Sequence, residues 1–194
     1  DDGSLSASVI TYTLNPNDMT MRRAYEDCSF DNPLYYGYAV HAIAGNVYQY
    51  FCATSLNVSD YENYVEIPVA NTDSSQYFFK VDDPRFSTVD ELKAYVSRFF
   101  DESMVNEMFM TAPQQYRDID GELYTILGDG GMDSTLGKLT ITDWEIDGNV
   151  ITYHTKQEKF DENYVLTGYV DGGDFIIEVT DSGFIVKKYR YPSL

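Results

Sequence analysis

Apolar residues recur every three or four positions between residues 34 and 52, and this spacing predicts the longest helix of the chain. Asn32 suits the N-cap of this helix, and Pro33 suits its first position, where the missing N–H is not needed. We therefore predict a helix over about residues 30–53 that packs against a sheet. The apolar stripe predicted for it comprises Leu34, Tyr38, His41, Ala42, Gly45, Tyr48 and Cys52.

Short runs of β-branched and aromatic residues follow this helix and predict strands over residues 64–69 and 77–81. Upstream of the helix, the apolar residues between positions 9 and 14 predict a short strand or helix, followed by a turn at residues 15–18.

Two further helices are predicted between the β-like runs and residue 112. Thr88 and Glu91 have the spacing of a capping box that opens a helix to about Phe100, and Asp101 caps a second helix over residues 102–110. Together they form a helical hairpin. Its predicted core residues are Leu92, Tyr95, Val96, Phe99, Val105, Met108 and Phe109.

From Tyr116 onward, apolar and polar residues alternate, and Asp-Gly or Gly-rich turns interrupt the alternation. Such turns tolerate the positive φ angles of tight hairpins, so this half of the chain predicts an antiparallel meander. Its strands are predicted over residues 116–119, 122–127, 137–146, 149–157, 164–170, 174–180 and 183–191. Helices followed by a sheet make the fold α+β, with N-terminal helices packed against a C-terminal antiparallel meander sheet.

The composition excludes several classes of function. With 43% hydrophobic residues the 194-residue chain can build a core, and its 13 basic against 32 acidic residues give a net charge of −19. Nucleic acids and anionic membranes need basic patches, so both are disfavoured as partners, whereas a basic protein would be attracted. The polar start at Asp1 suits a linker left by a removed signal or lipid-anchor segment, and an arbitrary start explains it equally well.

Catalytic groups are sparse in this sequence. Cys28 and Cys52 are compatible with one disulfide in an oxidising compartment or with two reduced thiols. His41 and His154 lack a second ligand at metal-like spacing, and nothing local supports a Cys–His nucleophile pair. We therefore expect no enzyme, no metal and no cofactor.

The acidic turns raise the hypothesis of a calcium site, because their carboxylates stand beside glycines. The pattern of an EF-hand is absent, and hairpin turns explain these residues adequately. The carboxylates concerned are Asp118, Asp120, Glu122, Asp171 and Asp174.

Residues 128–137 form a longer connection than the other turns, about ten residues where a hairpin needs two to five. Its glycines allow the backbone to approach a partner closely, and Asp129 offers a charged tip. The spacing and the acidity both disfavour a phosphate loop. The predicted partner-binding residues are Gly128, Asp129, Gly130, Gly131, Met132 and Asp133.

Several segments resemble the bacterial autolysin inhibitor family, of the IseA type, whose members block the cell-wall DL-endopeptidases of Gram-positive bacteria. The similarity extends over about residues 34–190 and is densest over residues 77–131. It is carried by Tyr77-Phe78-Phe79-Lys80-Val81, by Arg85-Phe86-Ser87-Thr88-Val89-Asp90-Glu91-Leu92-Lys93-Ala94-Tyr95, by Phe99-Phe100, by Tyr116-Arg117-Asp118-Ile119-Asp120-Gly121-Glu122-Leu123-Tyr124 and by the loop that starts at Gly128.

The resemblance implies a bilobed α+β fold, with a helical lobe of about residues 31–112 and a β-rich lobe of about residues 113–194, after an N-terminal extension of residues 1–30. It also implies that the inhibitory element is a Gly-Asp-Gly loop, which matches Gly128, Asp129 and Gly130 here. The chain departs from the family pattern in its N-terminal segment, its two cysteines and the additional Gly131.

These expectations converge on a binding protein outside the cytoplasm. The first hypothesis is an extracellular or cell-envelope inhibitor, monomeric, of a wall peptidase that uses a cysteine nucleophile. The alternative is a ligand-binding domain of a surface lipoprotein that recognises cell-wall fragments or another envelope protein and does not inhibit. In that case aromatic side chains in a cleft would hold the ligand, and the Gly128 loop would be unimportant.

Overall fold

The computed structural model of the chain describes residues 12–14, 21–23, 32–110, 114–128, 133–181 and 183–191. The first two described stretches are short strands, β1 (Tyr12–Leu14) and β2 (Met21–Arg23), which pair antiparallel. The other described elements form a mixed α+β fold in which strands predominate.

The longest helix, α1, spans Pro33–Tyr48 and continues as a 3-10 turn over Gln49–Phe51. The Asn32 side chain accepts hydrogen bonds from the backbone N–H groups of Leu34 (3.1 Å) and Tyr35 (3.4 Å), so the predicted N-cap is confirmed. The predicted helix is therefore correct to within a few residues at each end.

The two shorter helices are α2 (Val89–Val96) and α3 (Glu102–Met110). Thr88 and Asp101 cap them, because their side-chain oxygens accept the backbone N–H groups of Glu91 (3.2 Å) and Met104 (3.0 Å). The predicted core of this hairpin is confirmed, with five residues buried and Tyr95 and Phe109 partly buried against them. The buried five are Leu92, Val96, Phe99, Val105 and Met108.

The larger sheet is an antiparallel meander with the strand order β10-β9-β8-β7. Its strands are β7 (Leu136–Asp147), β8 (Val150–Phe160), β9 (Leu166–Thr180) and β10 (Gly183–Lys188). The predicted meander is thus confirmed for this part of the chain.

The smaller sheet has the order β3-β4-β6-β5 and is also antiparallel. Its strands are β3 (Tyr64–Pro68), β4 (Ser75–Lys80), β5 (Tyr116–Ile119) and β6 (Glu122–Thr125). The first two strands predicted for the meander, 116–119 and 122–127, are therefore confirmed as strands, but they belong to the smaller sheet and their assignment to the meander is wrong. Hydrophobic alternation marks a strand but does not choose its partner, and β6 pairs with β4 through Phe79 and Lys80.

The turn predicted at residues 171–174 is wrong, because β9 runs through it without a break. Thr155 pairs with Gly173 and Lys156 pairs with Asp171, so Gly172 is an extra residue in β9, a β-bulge. A Cβ atom at Gly172 would lie 2.3 Å from Thr155 Oγ1. Glycines that favour a turn also suit a bulge, and the sequence pattern does not separate the two.

The buried face of α1 differs from the predicted stripe, and Ala42 of that stripe is exposed. Apolar residues occur around most of this helix, so their spacing alone did not identify the face that packs. The residues buried instead are Tyr36, Gly37, Ala39, Val40, Ile43, Ala44 and Val47.

Tyrosine hydroxyls connect α1 and its 3-10 turn to both sheets. Tyr153 of β8 donates to the carbonyl of Pro33 (2.9 Å), and Tyr38 accepts the N–H of Ile141 in β7 (2.9 Å). Tyr116 of β5 donates to the carbonyl of Tyr50 (2.8 Å) and accepts the N–H of Leu56 (3.1 Å). One hydrophobic cluster accordingly includes residues of α1, of the helical hairpin and of both sheets.

The proposed lobe boundary falls inside this arrangement. The smaller sheet takes β3 and β4 from residues 31–112 and takes β5 and β6 from residues 113–194. The division into an N-terminal extension and two lobes stays a prediction. Among the described residues, no helix combines the length and the apolar character needed to cross a membrane.

The environment of His41 predicts a pH dependence of stability. Its ring lies on α1 against Phe175 (centroids 5.1 Å apart) and Tyr189 (4.8 Å), and burial lowers its pKa from 6.5 to about 4. Between pH 6.5 and pH 4, His41 is protonated in the unfolded chain but neutral in the folded chain. Proton binding therefore favours the unfolded chain, and the free energy of unfolding decreases as the pH falls. The loss expected between pH 6.5 and pH 4 is about 2 to 3 kcal/mol.

Urea unfolding of the wild type and of His41→Phe at pH 7 and pH 4 measures this effect. The variant keeps an aromatic ring in the cluster but does not titrate. The stability difference between the two proteins should therefore shift in favour of the variant as the pH falls, and a difference that stays constant would contradict the assignment.

Candidate functional site

The predicted loop connects the two sheets, because it leaves β6 of the smaller sheet and enters β7 of the larger one. It was predicted as an overlong hairpin, and that reading is wrong. Residues 126–135 separate the two strands, and such a connection has to cross from one sheet to the other. Its length therefore has a structural reason in addition to any functional one.

Gly128, the first glycine of the loop, lies directly against the backbone of Thr54. A Cβ atom at this position would be 2.3 Å from both the carbonyl carbon and the carbonyl oxygen of Thr54. Backbone atoms cannot move aside as the end of a side chain can, so only glycine fits here without rearrangement.

Thr54 is itself held in place. Its N–H donates to the carbonyl of Gln49 (2.8 Å), and its own carbonyl accepts the Gln115 side-chain amide (2.7 Å). Gln115 also accepts the N–H of Ile126 at its backbone carbonyl (2.9 Å), two residues before Gly128. The entrance of the loop is therefore fixed to the segment that follows α1.

Asp133 organises the exit of the loop. One of its carboxylate oxygens accepts the N–H (2.9 Å) and the hydroxyl (2.6 Å) of Thr135, and Lys159 of β8 contacts both Asp133 (3.9 Å) and the Thr135 hydroxyl. The hydrogen bonds from Thr135 lower the pKa of Asp133, with a smaller contribution from Lys159. The Thr135 carbonyl accepts the N–H of Phe160 (2.7 Å), so the exit is attached to the larger sheet.

The centre of the predicted site, residues 129–132, lies outside the described residues. The structure thus locates two of the six predicted residues, Gly128 and Asp133, at the two ends of the loop. Roles for Asp129, Gly130, Gly131 and Met132 stay predictions.

The sequence analysis did not identify Thr54, Gln115 or Lys159 as supports of the loop. Gln115 and Thr54 are 61 residues apart in the chain, so no local sequence pattern predicts their contact. The glycine at position 128 was the one available signal, since glycine is the residue expected where two backbones approach closely.

A comparison with protein families bears on these features. The family model described as IseA DL-endopeptidase inhibitor matches residues 39–170, which include both ends of the loop and the residues that support them. The chain belongs to the IseA DL-endopeptidase inhibitor family. None of the curated proteins matches it.

Membership in the IseA family supports an endopeptidase-inhibitor role in general and implies a peptidase as partner. It also favours an extracellular or cell-envelope location, where cell-wall endopeptidases act. The sequence resemblance to this family is therefore confirmed, together with the α+β fold class.

In this IseA family member, the environment of Cys52 disfavours the reactive thiolate form of its side chain. The thiol donates to the carbonyl of Tyr48 (3.4 Å), and burial raises its pKa from 9.0 to about 12. A reactive cysteine needs a lowered pKa, so Cys52 is a poor nucleophile. Cys52 has no disulfide partner among the described residues, which do not include Cys28, so the disulfide between them stays a prediction.

His154 lies in an exposed ion cluster on the larger sheet. Its Nδ1 is 3.0 Å from Asp174 and its Nε2 is 3.7 Å from Glu145, while Lys188 contacts the other oxygen of Asp174 (3.2 Å). The hydrogen bond with Asp174 raises the pKa of His154, which favours the imidazolium form.

Four of the carboxylates considered for calcium, Asp118, Glu122, Asp171 and Asp174, contact protein groups. Asp118 accepts the N–H of Val89 (2.8 Å), Asp171 accepts the N–H of Gly173 (2.9 Å), and Glu122 pairs with Lys80. No group of three or more potential ligand residues in the described part of the chain is arranged to hold a metal ion.

Gly128→Ala tests the anchoring of the loop entrance. The added methyl group would overlap the Thr54 backbone, and such overpacking typically costs about 1 to 3 kcal/mol of stability. Gly45→Ala is the comparison variant, because the close atom there is the end of a side chain, the Tyr189 hydroxyl (2.8 Å), and not the backbone, and because alanine favours the helix. In urea unfolding, equal effects of the two substitutions would argue against a tight contact at Thr54.

Proposed function

We propose that the chain inhibits a cell-wall DL-endopeptidase by inserting the loop around Gly128, Asp129 and Gly130 into the active-site cleft of the enzyme. Family membership carries this proposal, and the anchoring of both ends of the loop supports it. The target is a peptidase with a cysteine nucleophile and a histidine, and the inhibitor acts as a monomer outside the cytoplasm.

Anchoring matters because binding through a loop costs conformational entropy. Gly128 lies against Thr54 at the entrance, and Asp133, Thr135 and Lys159 form a compact cluster at the exit. A loop whose two ends are fixed before binding loses less freedom when a partner encloses it. Four residues, 129–132, remain between these supports as the inserting element.

Asp129 supplies the recognition in this proposal. A carboxylate that enters the cleft can accept a hydrogen bond from the imidazolium of the catalytic histidine or from another basic group. Charge-assisted hydrogen bonds of this kind contribute roughly 1.5 to 3 kcal/mol. The neighbouring glycines let the backbone follow a narrow cleft without steric conflict.

Replacement of Asp129 tests this mechanism. Asp129→Ala should weaken inhibition of peptidoglycan release by a purified Gram-positive DL-endopeptidase by about 10- to 100-fold, which corresponds to the loss of one charge-assisted bond. Asp129→Asn should have an intermediate effect, because the amide keeps an acceptor oxygen without the charge.

Asp147→Ala is the matched control for this experiment. Asp147 is exposed and stands beside Gly148 in the turn after β7, about 35 Å of extended strand away from the loop exit. The Asp147→Ala variant should inhibit the peptidase as strongly as the wild type does. Equal weakening by both alanine variants, or no weakening by Asp129→Ala, would remove the proposed role of the loop.

The net charge of −19 predicts a salt-dependent association rate. Carboxylates spread over the surface accelerate the encounter with a basic target, and salt screens this attraction within about 10 Å at 0.1 M. Stopped-flow mixing at 20 and 300 mM NaCl should show a slower association rate at high salt and a nearly unchanged dissociation rate. A salt dependence confined to dissociation would contradict steering by the overall charge.

A further inference from the structure

The turn between β8 and β9 and the first residues of β9 expose several large apolar side chains. The exposed fractions are 72% for Tyr164, 58% for Val165, 46% for Leu166 and 59% for Tyr169. We call these four residues the hairpin patch. Each of them contributes little to the core, so folding does not explain why they are apolar.

The hairpin patch lies beside the exit of the Gly128 loop. Leu136 pairs with Lys159, and Phe160 donates its N–H to the Thr135 carbonyl (2.7 Å), immediately before the turn. Across the hairpin, Phe160 pairs with Leu166. The loop exit and the patch therefore lie at the same end of the sheet, on either side of the end of β8, although about 30 residues separate them in sequence.

Asp161 makes the turn rigid. Its carboxylate accepts the N–H groups of Asn163 (2.9 Å) and Val165 (3.0 Å). Its backbone closes the turn, because its N–H donates to the Val165 carbonyl and its carbonyl accepts the Tyr164 N–H, both at 3.0 Å. Four hydrogen bonds therefore define the backbone of the turn that carries Tyr164 and Val165.

Tyr164 adopts a backbone conformation that does not suit a tyrosine. Its φ angle is +59°, in the left-handed region, where a non-glycine residue costs about 1 to 2 kcal/mol. Glycine or asparagine would relieve this strain, and the exposed ring loses nothing that the core needs. Strained residues that folding does not require are concentrated at functional sites, and tyrosine is a frequent hot-spot residue of protein interfaces.

We propose that the hairpin patch is a second contact surface for the peptidase that the Gly128 loop inhibits, which rests on the proposed function. The patch packs against an apolar area beside the mouth of the enzyme's cleft. Asp161 and Glu162 of the turn border it, so the complementary area carries cationic side chains at its rim. The family match over residues 39–170 covers the loop and the whole patch, which fits a single binding surface.

Substitutions at Tyr164 separate a binding role from a structural one. Tyr164→Gly removes the ring and relieves the left-handed strain, so its melting temperature should equal or exceed that of the wild type. Tyr164→Phe keeps the ring. Tyr61→Gly is the matched control, because Tyr61 is exposed to a similar extent (59%) on a different part of the surface, beside Phe79 of the smaller sheet.

The measurement is the dissociation constant of each variant for a purified Gram-positive DL-endopeptidase, by calorimetry, together with inhibition of peptidoglycan release. Tyr164→Gly should weaken binding by about 30-fold, as for a typical hot spot. Tyr164→Phe and Tyr61→Gly should bind within about 3-fold of the wild type.

The outcomes distinguish this inference from the function on which it rests. A wild type that inhibits, with a Tyr164→Gly variant that binds equally well, overturns the hairpin patch and leaves the inhibitor function intact. A wild type that neither binds nor inhibits overturns both. Weakening by Tyr164→Gly with none by Asp129→Ala supports the patch and rejects the loop mechanism. Self-association of the wild type that Tyr164→Gly abolishes, with unchanged inhibition, assigns the patch to a second copy and overturns the proposal.

Discussion

Helix α1 and the segment that follows it hold the two sheets together, and the rest of the molecule depends on that attachment. Tyr153 and Tyr38 connect the first half of α1 to the larger sheet, while Tyr116 connects the 3-10 turn to the smaller one. These hydrogen bonds satisfy backbone groups inside an apolar cluster, where an unpaired group would cost about 1 to 3 kcal/mol. Packing and polar pairing therefore specify the same arrangement.

The position of the Gly128 loop depends on this attachment of α1 to the two sheets. Its entrance lies on Thr54, in the segment that Tyr116 fixes, and its exit lies on Lys159 and Phe160 of the larger sheet. The loop is therefore attached to the same framework at both of its ends. In the proposed complex, residues 129–132 enter the cleft, and the fixed ends of the loop reduce the cost of ordering it on binding.

The pairing of β7 and β9 with β8 places the hairpin patch near the loop exit. Phe160 serves both features, since its N–H reaches Thr135 and its strand position pairs with Leu166. In the proposed complex, the Asp129 carboxylate and the hairpin patch provide two different kinds of complementarity, one electrostatic and one hydrophobic. Interfaces commonly combine a few apolar anchors with polar contacts around them, and the acidic surface of this chain supplies the second part.

The sequence by itself determined the features that depend on near neighbours in the chain. The caps at Asn32, Thr88 and Asp101, most strand positions and the α+β class follow from local hydrogen bonding and periodicity. Only the tertiary structure decided which sheet β5 and β6 join, which face of α1 is buried, and that Gly172 forms a bulge. These choices, like the contact of Gly128 with Thr54, depend on residues far apart in sequence, whose pairing is set by the packing of the whole chain.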